Sequence, residues 1–145
     1  MRALVVRVRS WVCALPLAAV AETMRALDVR SLPGAPPFVR GLAVIRGAHV
    51  PVIDLAALLG VADGQRGARL VSVRVGERPL ALEVDEVLGI KSLDPATLER
   101  TPPLVSQALP ACVDSLGTLD GQSLALLETA LLVPEAVWYF LRGAA

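Results

Sequence analysis

The chain has 145 residues, 54% of them apolar, with Lys+Arg and Asp+Glu balanced at 14 each. That length makes one domain with a real core. Without an unbroken apolar run of about 18 residues it holds no bilayer span, and without net positive charge it lacks the field behind most nucleic-acid affinity. Thirteen of the fourteen basic residues are arginine, Lys91 being the exception. Cys13 and Cys112 stand far apart in apolar segments, without CxxC spacing, and read as buried free thiols of a reducing compartment.

The first 23 residues have the outline of a secretory signal: arginines at 2, 7 and 9, an apolar stretch from Trp11 to Ala21, and Ala19-Val20-Ala21 as a cleavage site. Against this, Leu4, Val6 and Val8 alternate with Val5, Arg7 and Arg9, and Pro16 interrupts the apolar stretch. Alternation predicts strands over 3–9 and 11–16. A short amphipathic helix is expected from Leu17 to Arg25, with Leu17, Val20 and Met24 on one face and Glu22 pairing with Arg25 at i,i+3. "SLPGAPPFVRG" is a turn-rich connector.

"GLAVIRGAHVPVIDLAALLG", residues 41–60, predicts strands at 42–45 and 50–53 joined by a turn at Arg46-Gly47. Pro51 cannot donate a ladder hydrogen bond, so its strand should be an edge or bulged. Asp54 is placed to N-cap a helix from Leu55 to Leu59, stopped by Gly60. After a polar loop, "RLVSVRVG" and "RPLALEVDEVLGI" read as strands joined at Gly76-Glu77, the second carrying Asp85. Asp94-Pro95 should start a helical turn, and "TPPLVSQALP" is loop. Asp120-Gly121 is the strongest short hairpin signal in the chain. A C-terminal helix starts near Pro134, with Val133, Val137, Phe140 and Leu141 on its packed face and Trp138 and Tyr139 pointing elsewhere, either to cover a groove on the same molecule or, as the sharper option, to anchor a partner. Eight to ten short strands with little helix argue for barrels or a sandwich. "ALPLAAVAETMRALDVRSLP" and "LALEVDEVLGIKSLDP" echo one another and hint at two similar halves.

No catalytic set stands out. His49 is the single histidine, and no finger-spaced ligand pair, G-x-S-x-G elbow or Gly-rich phosphate loop is present. The chain is expected to be a non-enzymatic binding module that needs no cofactor or metal. Arg46, lifted on a hairpin tip, offers a planar and always-charged fork suited to carboxylates.

Residues 41–60 strongly resemble the signature of the CheW-like family, the bacterial chemotaxis coupling proteins. "CALPLAAVAETMRA", "VRSLPGAPPFVRG", "LALEVDEVLGI" and "LALLETALLV" extend the resemblance over nearly the whole chain, with Glu128 in place of the usual aspartate. The resemblance implies a mainly β fold of two small five-stranded SH3-like barrels sharing a hydrophobic interface, with a few short helices. It implies a single domain over 1–145, with halves near 10–65 and 66–133, an N-terminal strand that is a candidate for exchange between them, and a C-terminal helix at 134–145.

The resemblance also implies a cytoplasmic adaptor, recruited to receptor arrays at the inner membrane. It would join the tip of a methyl-accepting chemoreceptor to the regulatory domain of a CheA-type histidine kinase, and bind other CheW-like domains. Arg46 matches the signature arginine and Glu22 the first-helix acid; Gly41 and Gly47 match glycines that shape the same loop. Pro51, Asp54 and Asp85 are read as structural. Val44 stands where the family often has an asparagine, which motivates a second reading: a diverged scaffold in a gliding, pilus or other non-flagellar system, without receptor contact. An exported β-domain released after Ala21 is the remote alternative.

Overall fold

The computed structural model describes residues 1–94, 96, 98–100 and 109–144. Strand β1 (Arg2–Val8) buries Ala3, Leu4, Val5, Val6 and Val8. A strand apolar on successive positions buries both of its faces, and β1 does so: Ala3 and Val5 enter one apolar cluster, while Leu4, Val6 and Val8 enter another. It turns through Arg9 into β2 (Trp11–Pro16), with Ala3 paired to Pro16 and Val8 to Trp11.

The expected helix from Leu17 to Arg25 does not form. A single 3-10 turn at Leu17–Ala19 leads into strand β3 (Val20–Arg25), whose residues alternate between half-buried and exposed. The spacing from Val20 to Met24 fits both a helix face and every second position of a strand. The β-branched Val20 and Thr23 favour the strand, and pairing of Glu22 with Ser72 and Met24 with Leu70 supplies its hydrogen bonds. On a strand, Glu22 and Arg25 point to opposite faces, so the expected i,i+3 pair is absent.

Strands β4 (Val39–Ile45) and β5 (Ala48–Asp54) form the next hairpin. Pro51 was expected at an edge or bulge, yet β5 lies inside its sheet, between β4 and β7 (Arg78–Val84). The proline is tolerated because the parallel pairing with β7 begins at Val52, one residue further on. Asp54 accepts a hydrogen bond from the Ala56 amide (3.1 Å) and caps helix α1 (Leu55–Leu58), and Gly60 (φ +77) follows its end.

Strand β6 (Arg69–Val75) pairs with β7 across Gly76-Glu77. "RPLALEVDEVLGI" is two strands rather than one: the chain changes sheets at Asp85 and continues as β8 (Glu86–Ser92). Asp94 accepts from the Ala96 amide (3.0 Å); Pro95 and most of "TPPLVSQALP" lie outside the described residues. The short β9 (Glu99–Arg100) joins β10 (Val113–Leu119), which pairs with β11 (Gln122–Leu127) through a turn with φ +49 at Asp120 and +80 at Gly121. Helix α2 (Glu135–Ala144) ends the chain.

Among the described residues the strands make two sheets, β8-β1-β2-β11-β10-β9 and β3-β6-β7-β5-β4. Counted without the two-residue β9, each is five-stranded. Residues 20–84 make one sheet; 2–16 and 86–127 make the other. The division therefore falls at the two crossovers rather than between 65 and 66, and both N-terminal strands pair with the later part of the chain. Each sheet has a private apolar cluster, and a third, larger one is filled from both, with Leu4, Val6 and Leu15 meeting Ile53, Val71 and Leu82.

The five-stranded sheet curls until its edges meet. Arg30, in the connector after β3, bridges Leu42 on β4 through two 2.8 Å backbone hydrogen bonds. Gly41 (φ +143) lies beneath this crossing, and a Cβ there would come 1.9 Å from the Arg30 carbonyl oxygen. Gly41→Ala is expected to destabilise by at least about 2 kcal/mol through backbone strain and overpacking, whereas Gly121→Ala, with open space around it, should cost about 1 kcal/mol; thermal unfolding of both variants checks the difference. Burial, with a smaller contribution from nearby Cys112, pushes the Cys13 thiol up to about 12. At pH 8 about one native Cys13 in ten thousand is then ionised, so alkylation by iodoacetamide should be negligible until denaturant is added.

Candidate functional site

Arg46 and Gly47 both have positive φ (52° and 78°), as a type I′ hairpin turn requires. Asn, Asp and Gly suit the first position of such a turn; arginine is strained there. What holds it is Glu22 on β3: Arg46 Nε donates to Oε1 at 2.9 Å and Nη2 to Oε2 at 2.8 Å. The two strands involved, β3 and β4, are the edges of the five-stranded sheet, so this fork clamps the seam of the barrel some distance from the Arg30–Leu42 bridge.

The clamp is open to solvent, with the Arg46 side chain 79% exposed and that of Glu22 30%. The guanidinium beside Glu22 holds its carboxyl below the usual glutamate range, and Glu22 in turn raises Arg46. Below the seam a cavity of about 350 Å³ is lined by Glu22, Arg46, Ile45, Val50, Ser72 and Arg74, among others.

The remaining sequence-derived positions are dispersed. Gly47 completes the turn and Gly41 lies under the connector. Val44 is 59% exposed and opposes His49 on the outer face of the hairpin, away from the cavity. Pro51 is buried. Asp54 both caps α1 and meets Arg40 at 3.2 Å, and Arg40 Nε and Nη2 each donate to Glu83 at 3.2 Å. Asp85 lies at the crossover from β7 to β8, where its two oxygens accept from the Arg9 amide and guanidinium. Arg9 also donates to Asp63 (2.9 Å) and the Gln65 carbonyl (2.7 Å).

Trp138 does not point away. It is 6% exposed, with the Arg78 guanidinium 4.4 Å over its ring, and Arg78 donates to both Glu135 oxygens at 3.1 and 3.3 Å. At 100° per residue, position 138 is only about 60° from Leu141, so both reach the barrel. Tyr139, on the opposite side, is 76% exposed.

Arg74, Ser72, Arg40 and Arg9 carry the site or its support and were not singled out in the sequence. The available signal was the run Leu70, Ser72, Arg74, which turns one face of an apolar strand polar toward its tip. Among the described residues no three His, Cys, Asp or Glu side chains gather as a metal site, and no helix is long and apolar enough to cross a membrane.

The sequence profile of the CheW-like domain matches residues 2–137. The chain is 26% identical over 106 residues to the chemotaxis protein CheW of Rhizobium meliloti, covering 72% of this chain and 68% of that one. It is 28% identical over 109 residues to CheW of Thermotoga maritima (74% and 71%), and 31% identical over 98 residues to Protein PilI of Pseudomonas aeruginosa (66% and 55%). The crystal structure of the scaffolding protein TtCheW from Thermoanaerobacter tengcongensis superposes with a TM-score of 0.82 at 22% identity, over 90% of each chain; this supports the SH3-like barrel fold.

Because Glu22 is lowered in the folded chain, the clamp's contribution to stability is complete above the ordinary glutamate range and is lost as pH falls through the lowered folded value. In Arg46→Asn, which suits the left-handed turn, the Glu22 titration followed by carboxyl-carbon NMR should return upward toward the ordinary range, while the melting temperature at pH 7 stays close to that of the parent. A Glu22 midpoint unmoved by the substitution would show that the clamp is not formed in solution.

Proposed function

The chain belongs to the CheW-like family, a family of signalling scaffolds and adaptors, and from that premise we propose that it is a non-enzymatic adaptor coupling a chemoreceptor tip to a CheA-type histidine kinase. It works in the cytoplasm, drawn to receptor arrays at the inner membrane, and recruits homologous CheW-like domains by barrel-to-barrel contact. The observation that carries this reading is the Arg46–Glu22 clamp. An arginine in a strained turn position, held by a bidentate carboxylate at an exposed barrel seam, stands where the family signature has its arginine. A residue kept against its backbone preference is kept for its side chain, and a pre-oriented guanidinium presents its remaining N–H donors without further ordering cost.

A second reading keeps the fold and changes the pathway, making this a scaffold in a non-flagellar system. It is favoured by the exposed Val44 and by the match to a protein named PilI rather than as a chemotaxis protein.

Calorimetric titration against the regulatory domain of each CheA-type kinase of the same genome decides between them. Saturable binding to one such domain is expected, and the identity of that kinase names the pathway. Arg46→Glu should weaken receptor coupling at least about tenfold, a loss in the range of a charge-assisted hydrogen bond, in protein whose circular dichroism spectrum is unchanged. Absence of binding to every regulatory domain by folded protein would remove the coupling function.

A further inference from the structure

The five-stranded barrel is packed at one end and open at the other. Its inward positions begin as Met24, Ala43, Val52, Leu70 and Ala81, all in one apolar cluster. Toward the hairpin tips the same faces of β3 and β6 continue as Glu22 and as Ser72 and Arg74, and these line the cavity of about 350 Å³. Ligand sites favour barrel mouths of about this size that combine apolar wall with a few convergent polar groups.

Two features of the mouth are unexplained by the fold. Ser72 is only 7% exposed, yet its hydroxyl makes no hydrogen bond among the described residues. A buried hydroxyl that no protein group satisfies is left to bond what enters the mouth. Arg74, two residues on and on the same face, is exposed and has no ion-pair partner among the described residues. The other two charges of the mouth, Arg46 and Glu22, neutralise one another, so one cation remains, next to one buried and unused hydroxyl. Ile45, Val50 and Pro79 supply apolar wall.

We propose that the mouth binds a carboxylate carried on a side chain of a docking protein. One carboxylate oxygen meets the Arg74 guanidinium, the other accepts from the Ser72 hydroxyl, and the methylenes of the incoming Asp or Glu lie on the apolar wall. The charge fits a single carboxylate: Arg74 is the free cation, and Glu22 is already held through both oxygens. This deepens the adaptor reading and rests on it for the source of the carboxylate, but the site can be tested with no partner present.

The full chain, isotope-labelled, is titrated by NMR with N-acetyl-glutamate amide, with the neutral N-acetyl-glutamine amide, and with acetate. Saturable shifts are expected at the Ser72 amide and the Arg74 Nε with the glutamate probe, weakening as salt is added, and no saturation with the glutamine probe. Arg74→Gln should raise the dissociation constant at least about tenfold, consistent with loss of a charge-assisted hydrogen bond, and Arg74→Lys should restore part of the affinity. Equal shifts from the two amides, or binding unchanged in Arg74→Gln, would overturn the site. Acetate binding as tightly as the glutamate probe would overturn the side-chain source in favour of a free small anion. Since no kinase enters this experiment, failure of the adaptor reading shows separately, in the calorimetric titration.

Discussion

Everything else in this chain is arranged around one apolar layer that neither sheet could fill alone. Leu4, Val6, Val8, Cys13 and Leu15 come from one side and Ile53, Val71, Val73, Leu80 and Leu82 from the other. Residues this well buried are the ones whose truncation to alanine costs about 2–5 kcal/mol. A shared layer forces the chain to pass between sheets, and it does so twice, between β2 and β3 and between β7 and β8. The two segments that echo one another in sequence are these crossings. Each is an apolar strand that leaves one sheet, a turn, and an acidic residue at or near the change of direction. At the second crossing Asp85 ties the chain to Arg9 in the β1–β2 turn, so the route back is fixed by a charge as well as by packing.

Hairpins were the most legible part of the fold because their signals are local: Arg46-Gly47, Gly76-Glu77 and Asp120-Gly121 each demand positive φ that the backbone adopts. Asp54 as a cap was legible for the same reason. The segment from Leu17 to Arg25 was misread because a spacing of four residues satisfies helix and strand alike, and only the partner strand β6, nearly fifty residues away, decides between them. Trp138 was misplaced because a five-residue window cannot tell the flank of a helical face from its outside. Pro51 showed that an interior strand can carry a proline where its second ladder has not yet begun. In the site, Arg46 and Glu22 were both visible, but their meeting was not, since it depends on a barrel closing. Ser72 and Arg74 looked like ordinary polar residues of a strand.

Only three non-glycine residues adopt positive φ among those described: Arg9, Arg46 and Asp120. Aspartate is at home in that conformation. The two arginines are not, and both are held by carboxylates, Arg9 by Asp85 and Asp63, Arg46 by Glu22. They differ in surroundings. The Arg9 side chain is 15% exposed and joins the crossover to the loop at 60–68; the Arg46 side chain faces water at the seam. The same device thus serves once as internal fastening and once as a presented surface. Arg40 completes the fastening, because it shares the Gln65 carbonyl with Arg9 while holding Glu83 and Asp54.

The nesting of residues 20–84 inside the other sheet has a consequence for the chain as it leaves the ribosome. The five-stranded barrel is continuous, so its strands can pair as soon as β7 has emerged. The β1–β2 hairpin is made before that barrel, while its own neighbours β8 and β11 come only after it. At synthesis rates of about 5–20 residues per second, β1 waits roughly 4–17 s for β8. During that interval a ribbon of valine, leucine and alanine, apolar on both faces, has only the newly closed inner barrel to shelter it. Vectorial synthesis therefore makes the first sixteen residues the segment most in need of early cover, and makes the inner barrel the template on which they take it.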